Sequence, residues 1–92
     1  MTPFERHKHR HTFDMTGNAE VVLDIARKHP NNRIMEIVSI GVNSGLATTA
    51  TVHKELMWLN KKGYVKVVDE DGDKRSKIVK LTIKGKNFLE KL

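Results

Sequence analysis

The chain has 92 residues, with 17 Lys and Arg against 11 Asp and Glu and a formal charge of +6. That length fits one small domain with a single modest core. The absence of cysteine excludes disulfides, cysteine-bound zinc, iron–sulfur clusters and thiol catalysis.

No apolar run approaches the roughly 20 residues of a membrane helix. The start, Met1 to Arg6, lacks the apolar middle of a secretory signal. The expectation is a soluble cytoplasmic protein, prokaryotic or viral and acting in a host cell, with no membrane partner. Hydrophobic residues at 38% suffice for a core. The charge is unevenly spread: from His53 onward there are eleven basic and six acidic residues. A surplus of that sign suits a polyanion but does not identify one.

Residues 1–13 show little periodicity and contain Arg6, Lys8 and Arg10, which predicts a flexible basic arm. His7, His9 and His11 alternate, so an extended chain would place them on one side. Three imidazoles without a rigid frame fit a solvated or phosphate-touching arm better than a metal site. Phe4 and Phe13 are anchors of the arm or carry no structural role.

Residues 14–92 are expected to form the domain. A first helix is predicted over Asn18–His29, capped by Thr16 or Asn18, with Val22, Ile25 and Ala26 as its apolar stripe. Pro30 ends it and Asn31-Asn32 makes a turn. A second helix runs over Arg33–Val42, with Ile34, Ile37 and Val38 on one face and Glu36 outward. Asn43-Ser44-Gly45 breaks it, Gly45 being able to take a positive backbone angle. A third helix begins at Thr48 or Thr49 and runs to Lys62, with Val52, Leu56 and Leu59 facing the core. Gly63 ends it.

The period then changes to two. Tyr64–Val68 and Lys77–Leu81 read as short strands, each with a pair of apolar residues on one face: Val65 with Val67, and Val79 with Leu81. The connection between them contains Asp71-Gly72, a strong hairpin signal. A last short helix follows, capped by Thr82, with Phe88, Leu89 and Leu92 packing back. The fold class is therefore mainly α with a small β-hairpin: a winged helix-turn-helix in the order helix-helix-helix-strand-strand-helix.

Two stretches carry a family resemblance. Ser44 to Val68, SGLATTATVHKELMWLNKKGYVKVV, resembles the recognition helix and first wing strand of winged helix-turn-helix regulators. The following DGDKRSKIVKLTIKG is similar to the wing of the MarR family: Asp73, Arg75 and Leu81-Thr82-Ile83-Lys84-Gly85 match its Asp-x-Arg, strand, Leu-Thr-x-x-Gly pattern. The resemblance covers residues 18–92. It implies that Arg75 enters a minor groove or grips the DNA backbone, oriented by Asp73. MarR-type proteins carry further terminal helices that build a dimer and a ligand pocket. The last helix here stops at Leu92, so dimerisation by that route and small-molecule sensing are not expected from the resemblance. A homodimer through the N-terminal segment or the last helix stays open.

The residues themselves point the same way. If Val52, Leu56 and Leu59 face inward, the first turns of the third helix present Thr48, Thr49, Ala50, Thr51, His53 and Lys54. A recognition helix reads bases mainly with those turns. Threonine can bond bases or phosphates, and its methyl can meet a thymine methyl. His53 can donate or accept, and Lys54 suits a phosphate. In the wing, Asp73, Lys74, Arg75 and Lys77 are the candidates, since a narrow minor groove attracts arginine. The bland alternatives are a solvated helix face and an Arg75 that only pairs with Asp73.

Asp69, Glu70, Asp71 and Asp73 would repel DNA if aimed at it. A calcium loop fits poorly, with Lys74 and Lys80 at the positions needing glycine and a bidentate acid. These acids are expected to balance nearby cations or fix the wing tip. Met57 and Trp58 lie off the buried stripe, so they pack under a neighbouring segment or, if Trp58 is exposed, mark a partner surface.

No phosphate-binding loop, His-Glu-x-x-His pair or nucleophile elbow is present, so no enzyme and no cofactor is expected. The expected function is sequence-specific binding of double-stranded DNA by a transcriptional regulator. The alternative is a protein-binding winged-helix adaptor in a transcription or replication complex.

Overall fold

The computed structural model describes residues 15–91, with the side chains of residues 73–75 outside that description. The arm at 1–13, with its three histidines and two phenylalanines, lies outside the described residues, as does Leu92. The elements follow the predicted order: α1 (Gly17–Lys28), α2 (Ile34–Asn43), α3 (Thr49–Lys61), β1 (Val65–Glu70), β2 (Asp73–Leu81) and α4 (Ile83–Glu90).

Each helix begins where a side chain can satisfy an amide that the helix itself leaves unpaired. Of the two candidates for α1, Thr16 is the cap, accepting from the Ala19 N–H at 3.0 Å. At α2 the Glu36 carboxylate reaches back to the Arg33 N–H at 2.7 Å, half of a capping box. Thr48 caps α3, and Thr82 caps α4 by accepting from the Gly85 N–H at 3.1 Å.

The core is a single cluster. Val22, Leu23 and Ala26 of α1 meet Ile37 and Val38 of α2 and the predicted stripe Val52, Leu56 and Leu59 of α3. Val65 and Val79 close it from the hairpin and Phe88 from α4. Full burial of each large aliphatic side chain is worth about 1.5–3 kcal/mol. Trp58 is half-buried and stacks on Tyr64 with ring centroids 6.1 Å apart, while Tyr64 meets Phe88 edge-on at 5.5 Å. Trp58 therefore packs against the chain's own aromatics, and Met57 against the core.

The hairpin keeps the expected faces and extends beyond the expected lengths. Val65 is registered with Leu81 and Val67 with Val79, which puts all four on the inner face. Asp71 and Gly72 have φ of 47° and 81°. Two positive angles in succession are what a two-residue type I′ turn requires. β1 reaches Glu70 and β2 starts at Asp73, where the sequence predicted Val68 and Lys77 as the limits. The cause is a register break: Asp69 pairs with Lys77 but Glu70 pairs with Asp73, so residues 74–76 have no partner on β1. An irregularity of this kind hides a strand from an alternation test.

A third pairing was not visible in the sequence. The Val79 N–H donates to the Asn32 carbonyl at 2.9 Å, and Arg33 forms an isolated bridge with Ile78. The α1–α2 connection thus lies against the outer edge of β2.

The Leu-Thr-x-x-Gly stretch has a structural explanation. The Thr82 hydroxyl donates to the Gly63 carbonyl at 2.7 Å and lies 2.9 Å from that of Tyr64. Gly85 sits so close that a Cβ there would be 2.2 Å from the Tyr64 carbonyl oxygen and 2.9 Å from Leu81 Cδ1. The motif is a junction locking α4 onto the end of α3 and the base of the hairpin. Gly85→Ala is expected to lower unfolding stability by about 1–3 kcal/mol in urea denaturation, the range for overpacking. Lys86→Ala, one exposed position further on, is expected to stay within about 0.5 kcal/mol.

Candidate nucleic-acid interface

The inward stripe of α3 is fully buried, and this fixes what faces out. Thr48, Thr49, Ala50, His53 and Lys54 are exposed and Thr51 is half-buried. Thr48 and Thr51 are partly engaged with each other: the Thr51 N–H donates to Thr48 Oγ1 at 3.3 Å, and the Thr48 hydroxyl donates to Thr51 Oγ1 at 3.2 Å. Thr48 thus has a structural task at the helix start. Thr49 and Ala50 occupy the exposed first turn, whose amides have no acceptor within the helix and favour an anion. Lys54 makes no ion pair with another described residue.

The wing lies beside this helix end. His53 of α3 and Ser76 and Lys77 of β2 line one open concavity of about 450 Å³, completed by Arg33, Ile34 and Met35 at the start of α2. Met35 is 55% exposed and adds an apolar side chain to this surface. Arg33 and Met35 were not among the sequence candidates. Their only signal was a location next to the helix-turn-helix, because the pairing that brings them to the wing is a single bridge.

Both cations on this wall are held by acids from the wing. Lys77 pairs with Asp69, its register partner, and Arg33 Nε lies 2.9 Å from Glu70 Oε1. Two of the four wing carboxylates therefore balance nearby cations, as expected. The backbone places Lys74 and Arg75 in the unpaired segment between Asp73 and Lys77. The side chains of Asp73, Lys74 and Arg75 are outside the described residues, so the proposed groove contact of Arg75 stays a sequence expectation. Among the described residues no group of three His, Cys, Asp or Glu side chains could hold a metal ion. No described helix is long and apolar enough to cross a membrane.

Comparison with solved structures places this fold. A transcriptional regulator of Thermotoga maritima superposes with a TM-score of 0.69 at 24% identity, covering 97% of this chain and 69% of that one. BpsR of Bordetella bronchiseptica, whose DNA binding is regulated by 6-hydroxynicotinic acid, gives 0.71 at 22% identity over 96% of this chain and 70% of its own. A MarR protein of Peptoclostridium difficile gives 0.67 at 22%, covering 92% of this chain and 51% of that one. No family sequence model and no curated protein sequence matches the chain. The chain folds as a MarR-like winged-helix domain, spanning between about half and seven-tenths of the length of these proteins.

Because Thr48 caps α3, Thr48→Ala is expected to cost about 1 kcal/mol of stability. Thr49→Ala, at an exposed site with no capping bond, is expected to stay within about 0.5 kcal/mol. Thermal denaturation of the two variants side by side checks the distinction.

Proposed function

We propose that the chain binds double-stranded DNA sequence-specifically, as a transcriptional regulator. In this reading α3 enters the major groove, and the wing lies on the adjacent minor groove or backbone. The observation that carries it is the shared concavity: His53 from the helix and Lys77 from the wing line one open surface. Helix end and ribbon therefore address the same side.

The roles follow from the side chains. The first two turns of α3 present Thr49, Ala50 and His53 to base edges. Lys54 is a flexible point charge suited to a phosphate. Thr51 Oγ1 accepts from the Thr48 hydroxyl, which leaves the Thr51 O–H proton and its methyl available for a base contact. Lys77 is charge-balanced by Asp69 and lends less to a polyanion than its formal charge suggests. Lys74 and Arg75 supply the cations nearest the wing tip, and Asp73 the acid that orients Arg75. The adaptor alternative predicts no binding to duplex DNA even at low salt.

Fluorescence polarisation with random duplexes at several salt concentrations tests the binding. The affinity is expected to fall steeply with salt, and Lys54→Ala to weaken every sequence while reducing the log–log slope by about 1. Selection from a random duplex library tests reading. Thr51→Ala and His53→Ala are expected to change the preferred sequence, and equal loss on all sequences would refute base contact. An inverted repeat among the selected sites would indicate a two-fold dimer on DNA.

A further inference from the structure

We propose that the Arg33–Glu70 ion pair is a positioning device that sets the wing for DNA, an inference resting on the reading above. The pair joins two parts of the molecule far apart in sequence. Arg33 is the N-cap residue of α2, held there by Glu36. Glu70 is the last residue of β1 before the turn. The bond between them, Nε to Oε1 at 2.9 Å, is 37 residues long in sequence terms.

Glu70 stands where the hairpin is weakest. Regular register holds from Val65 to Asp69 and breaks at Glu70, where residues 74–76 of β2 lose their partners. Beyond that point the ladder no longer defines the direction of the tip. The Arg33 guanidinium on Glu70 ties the end of β1 to the helical body.

The tie has a second strand-like attachment beside it. Asn32 accepts from the Val79 N–H, and Arg33 bridges Ile78. The backbone bridge fixes the root of β2, and the ion pair reaches past it to the register break. Arg33 also forms part of the concavity that holds His53 and Lys77. A shift of the tip would therefore change the distance between helix end and wing.

The sign of the effect separates positioning from simple electrostatics. Removing a carboxylate near a DNA-facing surface should tighten binding if Glu70 only repels phosphate. Under positioning, Glu70→Gln weakens binding by about two- to fivefold, the scale of a partly exposed ion pair. The same variant speeds amide hydrogen exchange at residues 70–78 of the free protein, while exchange in the α1 and α3 core is unchanged. Arg33→Gln has the same two effects. In the double variant the combined loss is smaller than the sum of the two single losses, because both changes remove the same Arg33–Glu70 bond.

The experiment measures duplex affinity and free-protein exchange for wild type, Glu70→Gln, Arg33→Gln and the double variant. Weaker binding with faster wing exchange and non-additive losses supports the proposal. Tighter or unchanged binding by Glu70→Gln, unchanged wing exchange, or losses that add overturns it. Absence of DNA binding by the wild type overturns the functional reading, and with it the role in DNA binding. The exchange arm then still decides, by itself, whether the pair restrains the wing.

Discussion

Burial of Val52, Leu56 and Leu59 is the constraint on which the rest depends. These side chains have no exposed surface. Once they point into the core formed with α1 and α2, helical geometry leaves no freedom for Thr49, Ala50, His53 and Lys54, which must face solvent. The polar end of α3 is thus a consequence of apolar packing. Truncating a core leucine of this kind costs about 2–5 kcal/mol and would disturb the outer face through the inner one.

The second determinant is the junction of Tyr64, Thr82 and Gly85. Here the chain leaves α3, forms the hairpin and returns as α4. The Thr82 hydroxyl serves both as helix cap and as donor to the backbone after α3. Gly85 permits α4 to approach the Tyr64 carbonyl more closely than any side chain would allow. The motif that resembles a DNA-binding family's signature acts here, in its Leu-Thr-x-x-Gly half, on the direction of the hairpin. Its Asp-x-Arg half occupies the unpaired part of the wing.

What was legible in the sequence was local. The last helix start followed from Thr82 as a cap, the first and third were narrowed to Thr16 or Asn18 and to Thr48 or Thr49, and the helix bodies followed from 3.6-residue apolar spacing. The turn followed from Asp71-Gly72, the inner hairpin face from Val65, Val67, Val79 and Leu81. What was hidden depends on contacts between distant residues. The bridge between Arg33 and Ile78 involves one residue pair and leaves no periodic trace. The register break after Asp69 disrupts alternation, so the strands read as shorter than they are. Arg33 and Met35 join the candidate interface only because the wing folds back beside α2. Charge counting also overstated the wing's free cations, since Lys77 comes with a carboxylate partner.

In the proposed reading one face, composed of the α3 N-terminal turns and the distal wing, meets DNA. Amide chemical-shift mapping during titration with a selected duplex tests it most directly. Perturbations are expected to concentrate at residues 49–54 and 70–77, with the exposed face of α1 around Val21 and Asp24 unchanged. Perturbations centred on α1 and α4, with residues 49–54 silent, would contradict it.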